Sequence, residues 1–389
     1  MRKNIEQDRQ RAIQRFLDGE SPVSIWTSLG YSKQWFYRWL DRWRQEGDNW
    51  ACERSRRPHT FPQRTAIELE EIVKWVRLEL YNQGVFCGAQ AIRWRMEELS
   101  VNPLPSLRTI NRILARHELT HRRTGRYEPK GKAYPQLPVA GPSSVHQTDF
   151  VGPCYLHGPV RFYNLNSVDL ATGRCAVEAV WSRSKQDMID AFWASWQRLG
   201  CPRYQQVDNE MVFFGSPTHP RGMGHLIRLC LLHGIELCFI PVQEPWRNGV
   251  VEKFNHHWLQ GVLRRVQMNS PQDLRRENQS FEFRHNSRYR YSKLNGQTPL
   301  ECLKASQAEL RFPPQSTAPR APLPKPESGK YHLIRFIRSV GLLNVFGEKF
   351  KMPKEAIYEY VQATIDVAEQ TLSIYLEGKQ IEKYKYLLR

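Results

Sequence analysis

The stretch PWRNGVVEKFNHHW, residues 245–258, joins a Pro/Asn/Gly loop to an amphipathic run that carries Glu252 one turn inside it. Pro and Asn-Gly mark a tight turn, and a long helix is predicted from Asn248 to about Val266. Glu252 therefore lies in the first turn of that helix. A glutamate at this position could simply complement the helix dipole. Whether it has a functional role depends on two aspartates upstream.

Those aspartates are Asp149, in SVHQTDFVG (144–152), and Asp208, in YQQVDNE (204–210). The first opens a strand-like run after a linker, and the second closes an apolar strand. Either could simply be a turn or capping residue. If the fold brings them to Glu252, however, the three carboxylates could hold two divalent metal ions for phosphoryl transfer on nucleic acid.

The composition favours nucleic acid as the partner. The chain has 389 residues, a formal net charge of +18 and a pI near 9.7, and its acidic residues are spread throughout, so it should be attracted to polyanions. No run of 18 apolar residues predicts a membrane span, and the N-terminal sequence does not resemble a secretory signal. Eight cysteines without a C-x-x-C pair favour buried thiols in a reducing compartment over zinc or disulfides.

Residues 145–310 are predicted to form an α/β domain. Three strands come first, followed by alternating helices and strands. The predicted strands are Val145–Tyr155, Val160–Val168, Arg174–Trp181, Arg203–Val207 and Ile235–Val242, and the helices between the last three are Lys185–Leu199 and Gly222–His233.

Two helical modules precede this domain. In residues 1–50, Ser21-Pro22, Gly30 and Ser32 provide the starts and stops of a helix–turn–helix unit. Its third helix, Lys33 to Arg44, is predicted to present Gln34, Arg38 and Arg42 to the major groove. The alternative is a three-helix bundle that is merely basic.

The second module, residues 65–125, is also predicted to bind DNA. Its last helix and the segment after it carry polar and basic side chains suited to phosphate contacts, namely Arg108, Asn111, Arg112, Arg116, Arg122 and Arg123. Between the modules, in a linker of residues 51–64, Arg54–Pro62 reads equally well as a basic arm in a minor groove or as a solvated linker.

Two more linkers flank the α/β domain, at 126–144 and at the proline-rich 311–330, which is predicted to be stiff and extended. Residues 331–389 alternate as five short strands and predict a small SH3-like barrel with exposed lysines, suited to DNA contact or to assembly. The predicted fold is therefore multidomain: all-α modules, an α/β core and an all-β domain.

Four segments carry a family resemblance: TDF at Asp149, VDN at Asp208, P-x-x-N-G-x-x-E-K-F-N at Glu252, and RHNSRYRYSKLNGQTPLE at 284–301. Together they resemble the integrase-core transposases of bacterial insertion sequences, relatives of the retroviral integrases, whose core is RNase H-like. The resemblance extends over most of the chain. Members of that family also carry helix–turn–helix modules upstream.

The resemblance implies a DDE-type DNA transposase that nicks element ends and transfers strands. Asp149, Asp208 and Glu252 would be its catalytic metal ligands, for two Mg²⁺ ions with Mn²⁺ as a substitute. Asn248 and Gly249 would start the glutamate helix tightly, and Lys253 and His256 would face DNA. The expected partners are double-stranded DNA and further copies of the chain, as a homodimer or larger synaptic complex. The expected location is the bacterial cytoplasm, at the nucleoid.

One departure from the family stands near the second aspartate, where Glu210 replaces the usual Gly. Glu210 could obstruct DNA or add a carboxylate near the metals, and both alternatives stay open from sequence. The competing functions are a catalytically inactive, DNA-binding regulator and, further from the pattern, an RNase H-type nuclease.

Overall fold

A computed structural model describes residues 5–47, 49–53, 65–120, 134–215, 218–219 and 221–389. Within those ranges, no helix is long and apolar enough to cross a membrane. The chain divides into two compact units, Met1–Ala66 and Ile67–Arg389. The predicted basic arm Arg54–Pro62, as well as Arg122 and Arg123, lies outside the described residues. The finer domain boundaries remain predictions.

The first unit contains three helices, α1 (Ile5–Leu17), α2 (Pro22–Leu29) and α3 (Lys33–Gln45). The Ser32 hydroxyl accepts a hydrogen bond from the Trp35 N–H at 3.1 Å, which caps α3. Gly30 ends α2 with φ +74°, a left-handed conformation that favours glycine. Ile13, Ile25 and Phe36 pack together in the apolar core of this unit. The predicted helix–turn–helix punctuation is confirmed.

The second unit opens with α4 (Ile67–Asn82), α5 (Ala89–Glu98) and α6 (Leu107–Arg116). These helices share an apolar cluster of their own and also attach to the core that follows. Arg265 donates to the carbonyls of Tyr81 and Asn82 at 3.1 and 3.0 Å, and Arg290 pairs with Glu98 at 2.6 Å. The second helical module is therefore held against the core by side-chain contacts and is not merely joined to it by a linker.

The core has its predicted strands and helices in the predicted order, with bounds that differ by up to three residues before the last predicted helix. Its strands are β1 (Val145–Tyr155), β2 (Arg161–Asp169), β3 (Cys175–Val180), β4 (Tyr204–Val207) and β5 (Glu236–Phe239), and its helices are α7 (Lys185–Leu199), α8 (Met211–Phe214), α9 (His225–Leu232), α10 (Gly249–Trp258), α11 (Pro271–Arg288) and α12 (Pro299–Ser306). Three of these helices, α8, α11 and α12, were not predicted. Helix α10 ends earlier than predicted, because a π-helical turn follows at Leu259–Leu263.

β2 lies between β1 and β3 with antiparallel pairing, and β4 and β5 run parallel to β1 on its other side. Helices cover both faces of this sheet. On one face α7 and α9 pack through residues such as Phe192 and Leu226. On the other, α10 and α11 pack through Phe254, Trp258 and Phe281. This α/β layering supports the predicted integrase-like core.

The predicted SH3-like barrel is not confirmed. β6 (Lys330–Phe336) pairs in parallel with β5, with Phe239 opposite Leu333. Beyond β6 the sheet continues through β9 (Tyr360–Asp366), β10 (Thr371–Leu376) and β11 (Lys379–Lys385). Between β6 and β9 in the chain, β7 (Leu342–Val345) and β8 (Glu348–Lys351) form a separate two-stranded hairpin. In the part of the chain that is described, nine strands thus form one sheet.

The physical reason lies in the edge of β5. Without β6, its backbone N–H and C=O groups would form an unpaired edge, and Leu237 and Phe239 would lose the neighbours that bury them completely. Tyr331 and Leu333 of β6 are buried in the same apolar cluster. The C-terminal strands therefore complete the core instead of forming a core of their own.

The proline-rich segment between the core and β6 lies along the core surface. The carbonyl of Ser316 accepts from the Trp193 indole at 3.0 Å. That of Leu323 accepts from Arg228 at 2.8 Å. The structure assigns no helix or strand to residues 311–329, and the stiff, extended conformation predicted for 311–330 remains a prediction.

Candidate active site

Asp149 lies on β1, and Asp208 directly follows the neighbouring parallel strand β4 at the same level. β1 and β4 pair with Gln147 opposite Gln206. Asp149 is two residues beyond Gln147, and Asp208 is two residues beyond Gln206. Because side chains alternate along a strand with a period of two, both aspartates project from the same face of the sheet. Each is partly buried.

Helix α10 brings Glu252 to this place because its start is bonded to β1. The side-chain carbonyl of Gln147 accepts hydrogen bonds from the N–H groups of Val250 and Val251 at 3.1 and 3.2 Å. Those first-turn N–H groups have no partner within a helix. Asn248 adds a bond from its Nδ2 to the Thr148 carbonyl at 3.2 Å. One turn further, Asn255 Nδ2 donates to Asp149 Oδ2 at 2.8 Å.

The carboxylates influence one another electrostatically. Burial, together with the nearby negative charges of Asp208, Glu210 and Glu252, raises the pKa of Asp149 to about 7. Burial also raises the pKa of Asp208 and that of Glu252. Like charges close together disfavour ionisation, so a bound cation would stabilise this cluster.

Glu210 belongs to the same cluster. Its N–H donates to Asp208 Oδ1 at 3.1 Å, and its backbone has φ −66°, which any residue adopts. Arg183 lies beside it, with Nη1 3.2 Å from Glu210 Oε2. Burial and the charge of Asp208 raise the pKa of Glu210, while Arg183 lowers it. Of the two alternatives left open by the sequence, this position agrees with an additional carboxylate.

The donor set suits a hard divalent cation, because Mg²⁺ and Mn²⁺ prefer carboxylate oxygens. Glu210 Oε2 is buried, and the Arg183 guanidinium is its charged neighbour at 3.2 Å. Among the described residues, no three His, Cys, Asp or Glu side chains are close enough together to hold a metal ion. The residue types thus fit a divalent cation, whereas their present spacing does not, so the carboxylates would have to move closer together to bind one.

The two loop residues differ in what they contribute. Asn248 is buried, and its Oδ1 also accepts from Gln206 at 3.3 Å. Gly249 has φ −62°, and a Cβ at this position would meet open space. The tight start of α10 therefore depends on Asn248, and the backbone gives no reason for glycine at position 249.

The predicted DNA contacts of the first unit lie on the outer face of α3. Gln34 and Arg38 are exposed, whereas Phe36, Trp39 and Leu40 are buried. Arg42 is less free, because it pairs with Glu46 at 2.9 Å and lies over the ring of Trp39. The exposed face thus agrees with the prediction for Gln34 and Arg38.

In the second unit, Arg108, Asn111 and Arg112 are exposed on α6. Arg116 is exposed too, but it is paired with the buried carboxylate of Glu70. That pair gives Arg116 a structural role in holding α6 against α4.

Two further candidates, Lys253 and His256, lie on the exposed face of α10. Both follow Glu252 within about one turn, and neither contributes to the apolar contacts of that helix with the sheet.

Sequence reasoning missed Gln147 and Asn255, which join β1 to α10. One signal was present for each. Gln147 precedes Asp149 by two and therefore shares its face of the strand. Asn255 follows Glu252 by three and shares its face of the helix.

Comparisons with known proteins give one family match and several similar solved structures. Residues 6–49 match the family of homeodomain-like domains. The HTLV-2 integrase catalytic core domain in complex with magnesium is 18% identical, covering 42% of this chain and 97% of that chain, with a TM-score of 0.32. The BIV integrase catalytic core domain is 17% identical, covering 42% and 96%, with a TM-score of 0.33.

A simian T-cell lymphotropic virus intasome in complex with PP2A regulatory subunit B56 gamma is 13% identical, covering 74% of this chain and 88% of that chain, with a TM-score of 0.35. The chain thus carries a homeodomain-like helix–turn–helix domain at residues 6–49 and is similar to retroviral integrase catalytic cores, as its sequence motifs predicted.

Proposed function

We propose that this protein is a transposase or integrase that nicks DNA and transfers strands at Asp149, Asp208 and Glu252. The observation that carries the proposal is geometric: Asp149 lies on β1, Asp208 directly follows the neighbouring parallel strand β4, and the helix start that carries Glu252 is bonded to β1 through Gln147 and Asn248. Burying several carboxylates close together is unfavourable because their negative charges repel one another. A cation bound among them would relieve that repulsion.

Asp149, Asp208 and Glu252 would hold the divalent cations, with Mg²⁺ as the expected ion, Mn²⁺ as a substitute and two ions as the expected number. When bound, such ions activate the attacking water or hydroxyl and stabilise the leaving oxygen of an in-line displacement. The protein's own contribution is positional. Gln147 and Asn248 hold the start of α10 against β1, which fixes Glu252 relative to Asp149.

DNA would be bound mainly by the first unit. The family match at residues 6–49 and the exposed Gln34 and Arg38 of α3 support duplex DNA as the partner. The net charge of +18 adds affinity that does not depend on sequence. Because strand transfer joins ends that one copy cannot hold alone, the working form would be a homodimer or a larger complex.

The experiment is strand transfer by the purified protein on labelled DNA that carries the flanks of its own gene, with Mg²⁺, Mn²⁺ or EDTA. Nicked and joined products that require the metal are expected. Asp149→Asn and Glu252→Gln should abolish them while end binding in a mobility-shift assay stays nearly intact. Asp190→Asn, an exposed carboxylate on α7, is the matched control and should remain active.

End binding without nicking in either metal would contradict the proposal and favour the catalytically inactive regulator. Equal activity on RNA–DNA hybrids and on element ends would instead favour an RNase H-type nuclease.

A further inference from the structure

A line of buried amides runs from helix α11 to the carboxylate of Asp149. Trp258 Nε1 donates to Asn278 Oδ1 at 2.9 Å, and Asn278 Nδ2 donates to Asn164 Oδ1 at 2.9 Å. Asn164 Nδ2 then donates to Asn166 Oδ1 at 3.1 Å, and Asn166 Nδ2 to Asn255 Oδ1 at 2.9 Å. The last bond is the one from Asn255 to Asp149.

The direction of these bonds is fixed by the two ends. An indole N–H can only donate, and the carboxylate of Asp149, which must be ionised to bind a metal, can then only accept. Each amide between Trp258 and Asp149 must therefore present its oxygen toward the indole and its nitrogen toward the carboxylate. Turning one amide around would place donor against donor on one side and acceptor against acceptor on the other, so the polarity does not depend on how any single amide is assigned.

The side chains of this line are buried. Asn164, Asn166 and Trp258 are 0% exposed, and Asn255, the most accessible amide, is 8% exposed. Water therefore cannot replace a lost partner easily, and each broken bond leaves a polar group unsatisfied. In such surroundings successive hydrogen bonds polarise one another, and the effect accumulates at the last acceptor.

The line also joins four elements of the fold. Asn164 and Asn166 project from one face of β2, and Asn166 is the partner of Asp149 in the β1–β2 pairing. Asn255 and Trp258 lie on α10, and Asn278 lies on α11. The carboxylate at the end of the line is thus tied to both helices that cover this face of the sheet.

We propose that Asn255, Asn166, Asn164 and Asn278 form a polarised relay that fixes the orientation of the Asp149 carboxylate, which makes all four positioning residues. The inference rests on the proposed function, since Asp149 acts there as a metal ligand. Asn255 contacts Asp149 directly, and the other three act through it. The relay engages Oδ2 of the carboxylate and leaves its second oxygen outside the line.

A purely structural role would predict something different. In that case the amides would only cross-link β2, α10 and α11. The loss of one amide would then lower stability without changing the orientation of the Asp149 carboxylate. The test therefore uses Asn278→Leu, a change of similar volume at the far end of the relay, and reads its effect at Asn255 and at the metal site.

The matched control is Asn286→Leu on the same helix. Asn286 makes two hydrogen bonds with the backbone of Cys175, both at 2.9 Å, and takes no part in the relay. Trp258→Phe is the second test variant, because it keeps an aromatic ring in place and removes the donor that sets the polarity.

Three quantities are measured on the full chain: hydrogen exchange of the asparagine side-chain amides by selective ¹⁵N labelling, Mn²⁺ affinity by calorimetry, and nicking kinetics. Asn278→Leu and Trp258→Phe should speed exchange at Asn255, weaken Mn²⁺ binding about tenfold, as loss of a group behind a ligand does, and lower kcat without raising KM for DNA. Asn286→Leu should change thermal stability alone.

The relay is refuted if folded Asn278→Leu and Trp258→Phe match Asn286→Leu, with exchange at Asn255 and Mn²⁺ affinity at wild-type values. A wild-type protein that nicks nothing in either metal would overturn the proposed function instead. The exchange measurement would then still decide the relay, because it requires neither metal nor activity.

Discussion

The side-chain carbonyl of Gln147 lies 3.1 Å from the backbone nitrogen of Val250, and this bond attaches the start of α10 to β1. Gln147 and Asp149 share one face of the strand, and α10 bonds to both, through Val250 and Val251 at its start and through Asn255 further along. The separation of Glu252 from Asp149 is thus set by two contact points on one strand.

Gln147→Leu should lower both stability and nicking. It leaves two first-turn N–H groups of α10 without an acceptor, a loss of about 1–3 kcal/mol, and it frees Glu252 to move relative to Asp149. Urea unfolding and nicking kinetics on the same samples measure the two effects. Gln205→Leu is the control, since Gln205 is buried and bonded to His146 and Thr148 but not to α10. A variant as active as Gln205→Leu would show that the cap does not position Glu252.

Glu210→Gln should shift the titration of Asp149 to lower pH. The charge of Glu210 contributes to raising the pKa of Asp149 to about 7, so its removal lowers that pKa. A metal ligand must be deprotonated, and Mn²⁺ binding should therefore weaken below about pH 7 in the wild type and only at lower pH in the variant. Titration of ¹³C-labelled aspartate and Mn²⁺ calorimetry across pH provide the measurement.

The control for that shift is Asp190→Asn, which removes a carboxylate from the exposed face of α7. An unchanged midpoint in Glu210→Gln would mean that Glu210 does not act on Asp149. Mn²⁺ binding lost at every pH would identify Glu210 as a required ligand rather than a neighbouring charge.

His285→Gln should make the protein less sensitive to acid. His285 is 1% exposed and its Nε2 is 3.0 Å from the Gly173 carbonyl oxygen, and burial lowers its pKa to about 3. Between pH 6.5, the ordinary histidine value, and pH 3, the unfolded chain binds the proton and the folded chain does not, so the unfolding free energy falls as pH falls. The wild type should lose about 2 kcal/mol from this group between pH 6.5 and 5.

Urea unfolding at several pH values measures this slope, and the exposed His219 provides the control. The curve of His219→Gln should run parallel to that of the wild type. If His285→Gln gave the same acid dependence as the wild type, the proton would be binding elsewhere.

Much of this architecture follows from local sequence signals. Ser32 and Gly30 mark helix ends because capping chemistry is local, and the bounds of β1 and α7 follow from periodicity and from Gly200. The alignment of Asp149 with Asp208 depends instead on the parallel pairing of β1 with β4, which β2, β3 and α7 separate in the chain.

The remainder depends on partners that are distant in sequence. Nothing in the alternation of residues 331–389 distinguishes a closed barrel from an extension of the sheet, because the partner of β6 is β5, about 90 residues earlier. The relay residues Asn164 and Asn166 lie on β2, where polar residues at alternate positions are typical of a solvent-exposed face. Their burial becomes visible only when α10 and α11 cover β2.

The C-terminal strands should therefore not fold alone. A fragment of residues 326–389 should lack dispersed NMR signals, because Tyr331 and Leu333 lose the core residues that bury them. Residues 1–53, which include a helical unit with its own apolar cluster, should fold as a fragment and serve as the control. A cooperative thermal transition in fragment 326–389 would restore the independent barrel.

Arg38→Ala should weaken DNA binding without changing the chemistry at Asp149. Arg38 is exposed on α3, and a lysine or arginine that contacts a phosphate contributes about one unit to the salt dependence of the binding constant. Binding to duplex DNA should weaken, and the slope of log K against log salt should fall by about one, while nicking at saturating DNA keeps its wild-type kcat. Arg93→Ala is the control, because Arg93 on α5 already pairs with Glu97 at 3.3 Å. A wild-type salt slope in Arg38→Ala would exclude phosphate contact by this residue. A fall in kcat at saturating DNA would show that Arg38 contributes to the chemical step as well as to binding.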